Sequence, residues 1–222
     1  ISGRHIGAIA LSRAANAPAT PEQIAAALIE GVRRHGIGVI DWPASASALR
    51  ERAHWAGSDA LSDAALLETL DLWLAPLLSG KRRLSEISAE ALHSALWNLM
   101  GWDSQQEVTR LAPAHFTSPA GSTHPIDYAA EAGPTVELRV QALFGLSEHP
   151  VIGPDRIPLI LSLTSPAGRP IQTTRDLPGF WRGTWADVAK EMRGRYPRHN
   201  WPDDPAAALA SLKTKKALDR AR

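Results

Sequence analysis

The sequence predicts an α+β protein with an N-terminal helical bundle, a small β-rich module and C-terminal helices. Apolar residues recur at helical spacing as far as about residue 112, whereas extended runs, prolines and glycines dominate from Pro113 onward. We therefore expect three regions. Residues 1–19 form a strand and linker, 20–112 form the bundle, and 113–222 form a domain that is β-rich over 114–174 and helical over 184–216.

The first helix has the clearest start signal. Thr20 suits the N-cap, Pro21 the first helical position and Gln23 the position three residues after the cap, which makes a capping box. Gly36 is placed to end this helix. Four further helices are predicted in the bundle: about 46–56, Ser62 through Leu74 to Pro76, from Ser88, and Asp103 to Pro113.

The sequence contains fewer strand signals than helix signals. A partial alternation over residues 1–12 predicts one short strand, and Thr135 to Val140 alternates as a half-buried strand does. The apolar run from Arg156 to Thr164 is typical of a central strand. Helix is expected again over Thr184 to Arg193, and a last helix is expected to start at Asp204-Pro205.

Composition restricts the class of protein. The chain has 222 residues, a formal net charge of +1 and no cysteine. Any attraction to nucleic acid must therefore come from a local patch, and disulfides and thiolate metal sites are excluded. The apolar stretches are too short to span a bilayer, and the chain starts with neither Met nor a signal pattern. We expect a cytoplasmic piece of a longer protein, with no membrane partner.

No catalytic site can be assembled from the sequence. A phosphate-binding loop and the acidic motif that holds Mg²⁺ for ATP hydrolysis are both missing, and the histidines, including His54 and His93, are scattered. The Asp203-Asp204 pair could act as general acid and base, but a helix entrance explains these carboxylates better. An independent enzyme is thus the least favoured interpretation.

Two long stretches carry a family resemblance. The first comprises Pro113-Ala114-His115-Phe116-Thr117-Ser118-Pro119-Ala120-Gly121-Ser122, then Ile126-Asp127-Tyr128, then Arg139-Val140-Gln141-Ala142-Leu143-Phe144-Gly145-Leu146. The second comprises Leu163-Thr164-Ser165-Pro166-Ala167-Gly168-Arg169-Pro170-Ile171-Gln172-Thr173-Thr174-Arg175-Asp176-Leu177, then Gly179-Phe180-Trp181, then residues 191–205 from Glu191 to Pro205. Over about residues 113–216 the chain resembles the C-terminal region of bacterial HrpB-type DEAH-box ATP-dependent RNA helicases.

The resemblance implies that the motor lies elsewhere in the parent polypeptide. In that family, two RecA-like lobes use ATP and Mg²⁺ and are followed by a winged helix, a helical bundle and an oligonucleotide-binding barrel. This chain would have no cofactor of its own and no catalysis. Its expected role is an accessory or scaffold region that assists nucleic-acid engagement, with the helicase core of the same polypeptide as partner. The alternatives are a purely structural module on the helicase lobes or a protein–protein interaction module.

One basic and aromatic segment is the candidate nucleic-acid site. Its residues combine cations that can hold phosphates with rings that can stack on unpaired bases, and two more arginines could extend it. The predicted set is Arg193, Arg195, Tyr196, Arg198, His199 and Trp201, with Arg169 and Arg175 as the extension. Single-stranded RNA or DNA is the expected ligand. The competing interpretation has Tyr196 and Trp201 anchoring a C-terminal wrap while the arginines cap carbonyls. Phe180, Trp181 and Trp185 are expected in the core.

Overall fold

The structure is a computed structural model that describes residues 2–6, 9–14, 18–214 and 216. It contains two compact units, residues 1–43 with 63–99, and residues 44–62 with 100–222. The predicted boundary at 112/113 does not coincide with this division, and the assignment of domains stays a prediction. The predicted α+β class is confirmed: after the N-terminal strand pair come helices, then most of the strands, then two further helices.

The elements are as follows. The helices are α1 (Pro21–His35), α2 (Ala44–Trp55), α3 (Asp63–Glu68), α4 (Leu70–Trp73), α5 (Ala89–Leu111), α6 (Leu177–Arg182) and α7 (Trp185–Arg195). The strands are β1 (Ser2–Ile6), β2 (Ile9–Ala14), β3 (His115–Thr117), β4 (Thr123–Asp127), β5 (Thr135–Arg139), β6 (Val151–Ile152), β7 (Ile157–Pro158), β8 (Ile160–Thr164) and β9 (Pro170–Thr174). Among the described residues, no helix is long and apolar enough to cross a membrane.

The N-terminal prediction of one short strand was wrong, because the backbone forms an antiparallel pair, β1 with β2. The start of α1 is as predicted. Thr20 Oγ1 accepts from the Gln23 amide, the Gln23 side chain accepts from the Thr20 amide, and the Gly36 amide donates to the Val32 carbonyl. Local side-chain chemistry therefore fixes both ends of this helix.

The long helix expected from Ser62 to Leu74 is divided in two. Thr69 separates α3 from α4, with φ −108° and ψ 17°, and its hydroxyl donates to the Ala65 carbonyl at 2.6 Å. Such a bond from a Thr side chain to the preceding turn competes with regular helix continuation. A second interruption lies in α5, where Gly101 has φ 72°. The two helices predicted around it, from Ser88 and from Asp103, meet there.

The second unit contains a five-stranded sheet in the order β3-β4-β5-β8-β9. All neighbours are antiparallel except β5 and β8, which run parallel and place Arg139 beside Thr164. The central strand expected from the apolar run is β8, which is buried at four of its five residues. Because β5 and β8 are parallel, their carboxyl ends lie at the same edge of the sheet.

An aromatic cluster fills the core beside α6 and α7. Neighbouring rings lie with centroids 5.0 to 6.3 Å apart, a distance at which tilted and edge-on aromatic pairs are favourable. Its members are Phe144, Phe180, Trp181, Trp185 and Trp201, all of them buried. The predicted core position of Phe180, Trp181 and Trp185 is confirmed.

The last predicted helix is absent, since the chain from residue 196 to residue 214 has no helix. The Asp204 carboxylate does cap its local turn, accepting from the amides of Ala206 and Ala207. However, Pro205 is buried and its carbonyl accepts from the Gly145 amide, so this segment follows the surface of its unit instead of coiling. Between residues 184 and 214, the helical part predicted over 184–216 is represented by α7 alone.

Candidate nucleic-acid interface

The predicted segment lies at the edge where β5 and β8 end. The turn after β8 closes through the Ser165 amide to the Arg169 carbonyl at 2.8 Å and the Arg169 amide to Ser165 Oγ at 3.1 Å. Ser165 Oγ lies 3.2 Å from the Tyr196 hydroxyl. This hydrogen bond fixes the 196–200 segment against the turn that carries Arg169.

Trp201 has a packing role. Its side chain is only 4% exposed, its ring lies 6.3 Å from that of Trp185, and its indole donates to the Tyr196 carbonyl at 3.0 Å. The ring has no free face for a base, because stacking needs an accessible aromatic surface. Tyr196 is half-buried, with its hydroxyl turned to Ser165. These two rings therefore match the predicted wrap better than the predicted stacking.

Arg193 serves the same wrap. Its guanidinium donates to the Trp201 carbonyl through Nε at 3.2 Å and Nη2 at 2.8 Å, and also contacts the Asp203 carboxylate. Arg195 forms an exposed ion pair with Glu191, one helical turn earlier, at 3.2 Å. The positive charge of each of these two arginines is thus partly neutralised by a neighbouring acid.

At this edge of the sheet, three exposed arginines form no ion pair with any described residue. They are Arg139, Arg169 and Arg198, and we call this set the arginine edge. Arg139 ends β5, Arg169 ends the turn after β8, and Arg198 lies on the 196–200 segment. The predicted exposure of Arg193, Arg195 and Arg198 agrees with the structure, but only Arg198 keeps its charge free.

His199 lies close enough to Arg139 for the charge of that arginine to affect its pKa. Burial lowers the pKa of His199 below its ordinary value of 6.5, and the positive charge of Arg139 lowers it further. The side chain of Gln141 is 1% exposed and donates to the Asn200 carbonyl at 3.4 Å. Gln141 Oε1 and His199 Nδ1 are buried and form no hydrogen bond with any described residue. The layer beneath the arginines is therefore polar.

Arg175 lies away from this edge. It follows β9 whereas Arg169 precedes it, and six residue steps along a strand span about 20 Å. Its guanidinium donates to the Ala132 carbonyl, which precedes β5, whereas Arg139 lies at the other end of that strand. The structure therefore separates Arg175 from the set in which it was predicted.

Sequence reasoning missed Arg139. A usable signal existed, since Arg139 ends a strand whose alternation exposes Glu137 and Arg139 on one face. What the sequence could not supply was the parallel pairing of β5 with β8, which places Arg139 beside the turn that carries Arg169.

Comparisons with known proteins identify the family of the chain. Residues 73–205 match the family described as ATP-dependent helicase C-terminal, HrpB_C. The ATP-dependent RNA helicase HrpB of Escherichia coli K12 is 40% identical over 202 residues, which cover 88% of this chain and 25% of that protein. The chain thus spans about a quarter of the length of that relative.

Two solved structures are also similar. A crystal structure of the E. coli DExH-box NTPase HrpB superposes with a TM-score of 0.79 at 38% identity, over 94% of this chain and 27% of that one. A crystal structure of the E. coli DEAH/RHA helicase HrpB gives a TM-score of 0.68 at 35% identity, over 90% of this chain and 26% of that one. The chain therefore belongs to the HrpB_C family of ATP-dependent helicase C-terminal domains.

Proposed function

We propose that this chain is an accessory region of an ATP-dependent RNA helicase that holds single-stranded nucleic acid through the arginine edge. The observation that carries the proposal is the exposure of Arg139, Arg169 and Arg198 around the polar layer at the end of β5 and β8. Guanidinium groups without acidic partners are free to contact phosphates, and phosphate contacts dominate the affinity of nucleic-acid binding.

The parent helicase would supply the chemistry. ATP and Mg²⁺ would be bound by motor lobes outside this chain, and the helicase core of the same polypeptide would be its partner. Cytoplasmic localisation is part of the same proposal. The role of this chain would be to hold the strand, with no step of ATP hydrolysis on its own residues.

A salt titration tests the proposal. Fluorescein-labelled 12-nucleotide single-stranded RNA should bind the purified chain with log Kd rising with log salt at a slope of about 2, or about 0.7 for each of three neutralised phosphates. Reversing all three charges (R139E, R169E and R198E) should abolish most of this slope, as measured by fluorescence anisotropy.

A matched control distinguishes the effect of charge at the arginine edge from the effect of net charge. The triple variant R82E, R110E and R182E changes the net charge equally at three exposed arginines outside the arginine edge. It should keep both the affinity and the salt slope. Equal losses in the two triple variants would mean that only overall charge matters, and would reject the arginine edge as a binding surface.

A purely structural role is the second candidate. It is favoured by Arg193, Tyr196 and Trp201, whose polar groups are used in internal hydrogen bonds. Under this alternative, the arginine-edge variant would bind RNA as the wild type does. Trp201→Ala would then be the damaging change, lowering the midpoint of urea unfolding by removing a buried ring.

A further inference from the structure

The loop between β6 and β7 contains a backbone conformation that its residue does not favour. Arg156 has φ 53°, and every other described residue with a positive φ is a glycine. An L-residue with a Cβ atom is strained in this region, and Arg is not among the residue types enriched there. Such strain persists where the surrounding structure imposes it, and it is found preferentially at functional sites.

Arg156 lies at a cavity of about 450 Å³. The walls are mainly apolar and come from β3, from the turn after it and from the segment before β6; they include Phe116, Pro119, Leu146, Pro150 and Val151. His149 also lines the cavity, but both of its ring nitrogens are already bonded, to the Leu177 amide and the Leu159 carbonyl. It therefore acts as a wall and offers no free polar group.

Two opposite charges face this cavity without pairing. Glu148 and Arg156 both line it and are both exposed, yet they form no ion pair with each other or with any other described residue. Each is therefore available to a ligand. The cavity suits an occupant that carries both an acidic and a basic group, besides an apolar part.

One wall is the free edge of the sheet. β3 is the terminal strand of the sheet. Just outside its two ends, the Ser118 amide donates to the Ser122 carbonyl and the Ala114 carbonyl accepts from the Ile126 amide, so the residues at even positions are those that bond toward β4. Because these directions alternate along a strand, the amide and carbonyl of Thr117 point away from β4. Thr117 lines the cavity, so an unpaired backbone edge is available beside the apolar wall.

We propose that this cavity binds an extended segment of a partner protein by adding it as a strand beside β3. The segment would pair with the backbone of Thr117, insert an apolar side chain beside Phe116 and Leu146, and place an acidic group on Arg156 and a basic group on Glu148. Of the two charged groups, a nucleic acid supplies only the anionic one, and its phosphates would be repelled by Glu148, so charge complementarity favours a peptide. The proposal does not depend on the arginine edge.

A peptide library tests this directly. The probes are terminally blocked, fluorescein-labelled hexapeptides that carry one Asp, one Lys and four residues chosen from Val, Leu and Thr, in every order of the two charges. The tightest binders should show a Kd below about 1 mM by anisotropy. Replacing their central residue by proline, or their Asp by Asn, should weaken binding at least about tenfold, since strand pairing or the contact with Arg156 is lost.

Variants of the chain test whether Arg156 contacts a ligand or is only a strained residue of the loop. Arg156→Gly removes the charge and relieves the backbone, so Tm should be unchanged or higher by up to about 4 °C while peptide affinity falls at least about tenfold. Arg182→Ala, at an exposed arginine outside the cavity, should change neither quantity. Thr117→Pro should abolish binding while the fold is kept, because an edge strand tolerates a missing outward amide.

Three results would overturn the proposal. They are the absence of any probe with a Kd below about 1 mM, full affinity in Arg156→Gly, or displacement of the peptide by single-stranded RNA with loss of RNA binding in Arg156→Gly. The last result would identify the cavity as a nucleic-acid site. Failure of the arginine-edge variants to affect RNA binding has no bearing on any of these outcomes.

Discussion

His149 illustrates how a single side chain makes this fold depend on pH. Its Nδ1 accepts from the Leu177 amide at 3.0 Å, and its Nε2–H donates to the Leu159 carbonyl at 2.7 Å. This pairing requires the neutral imidazole, because Nδ1 of a charged ring would be a donor. Burial accordingly lowers the pKa of His149 from its ordinary value of 6.5, against smaller opposing effects from the Leu159 carbonyl and Asp176.

We therefore predict that stability falls as the solution becomes acidic. A group whose pKa is lower in the folded state stabilises the fold fully above the unfolded value of 6.5. That stabilisation is lost as pH falls through the lowered pKa of the folded chain. Urea unfolding at pH 7.5 and pH 5 should show the decrease, and His149→Gln, which can make both hydrogen bonds without titrating, should reduce it. An unchanged pH dependence in this variant would contradict the assignment.

Gly153 gives a prediction about close packing. It has φ 70°, and a Cβ added there would lie 2.6 Å from the Trp55 carbonyl oxygen. Gly153→Ala should cost at least about 2 kcal/mol in free energy of unfolding, since backbone strain and a clash add together. Gly168→Ala is the matched control, because φ is 75° and no atom lies within 4 Å of the added Cβ. Equal losses by urea unfolding would remove the steric part of the argument.

Among the elements, α6 depends on its cap. Asp176 Oδ1 accepts from the Gly179 amide at 2.8 Å, at the start of a helix of six residues. We predict that Asp176→Ala lowers the free energy of unfolding by about 1 kcal/mol, whereas Asp176→Asn retains most of it because the amide oxygen also caps. Chemical unfolding of the two variants tests this, and equal losses would indicate that the charge, not the cap, matters.

Helices α1 and α6 show what sequence reasoning can and cannot predict. The α1 boundaries were predicted because Thr20, Gln23 and Gly36 act within one helical turn. Sequence patterns did not reveal α6, since Pro178 and Gly179 weaken its helical signal and the aromatic cluster stabilises it from outside. The ends of α1 could be predicted because they depend on neighbouring residues, whereas α6 depends on contacts with residues distant in the sequence.

At the scale of the whole molecule, the candidate site was predicted in part. The basic segment around residue 198 was found from its composition, but the sequence could not distinguish the free Arg198 from Arg193, whose guanidinium binds the Trp201 carbonyl. Arg139 enters the site only because two parallel strands end together. A surface built from residues about 30 to 60 positions apart depends on the sheet order, which single-strand patterns do not encode.

We also predict that the purified chain does not hydrolyse ATP. The sequence contains neither a phosphate-binding loop nor the acidic pair that positions Mg²⁺. A coupled assay with Mg²⁺ and saturating ATP should give the rate of a mock purification from cells that lack the expression plasmid. Turnover that exceeds this rate and co-elutes with the chain through two columns would contradict the prediction.

The aromatic cluster should also give its unit an intrinsic spectroscopic signal of folding. Trp181, Trp185 and Trp201 have successive ring centroids 5.3 and 6.3 Å apart, close enough for their excited states to couple. Near-ultraviolet circular dichroism should therefore contain a strong signed band that disappears when the C-terminal wrap detaches. Trp102, 71% exposed, should instead emit at long wavelength and respond to quenchers in the folded chain. The circular dichroism of the buried tryptophans and the fluorescence of the exposed Trp102 can thus be followed in one unlabelled sample.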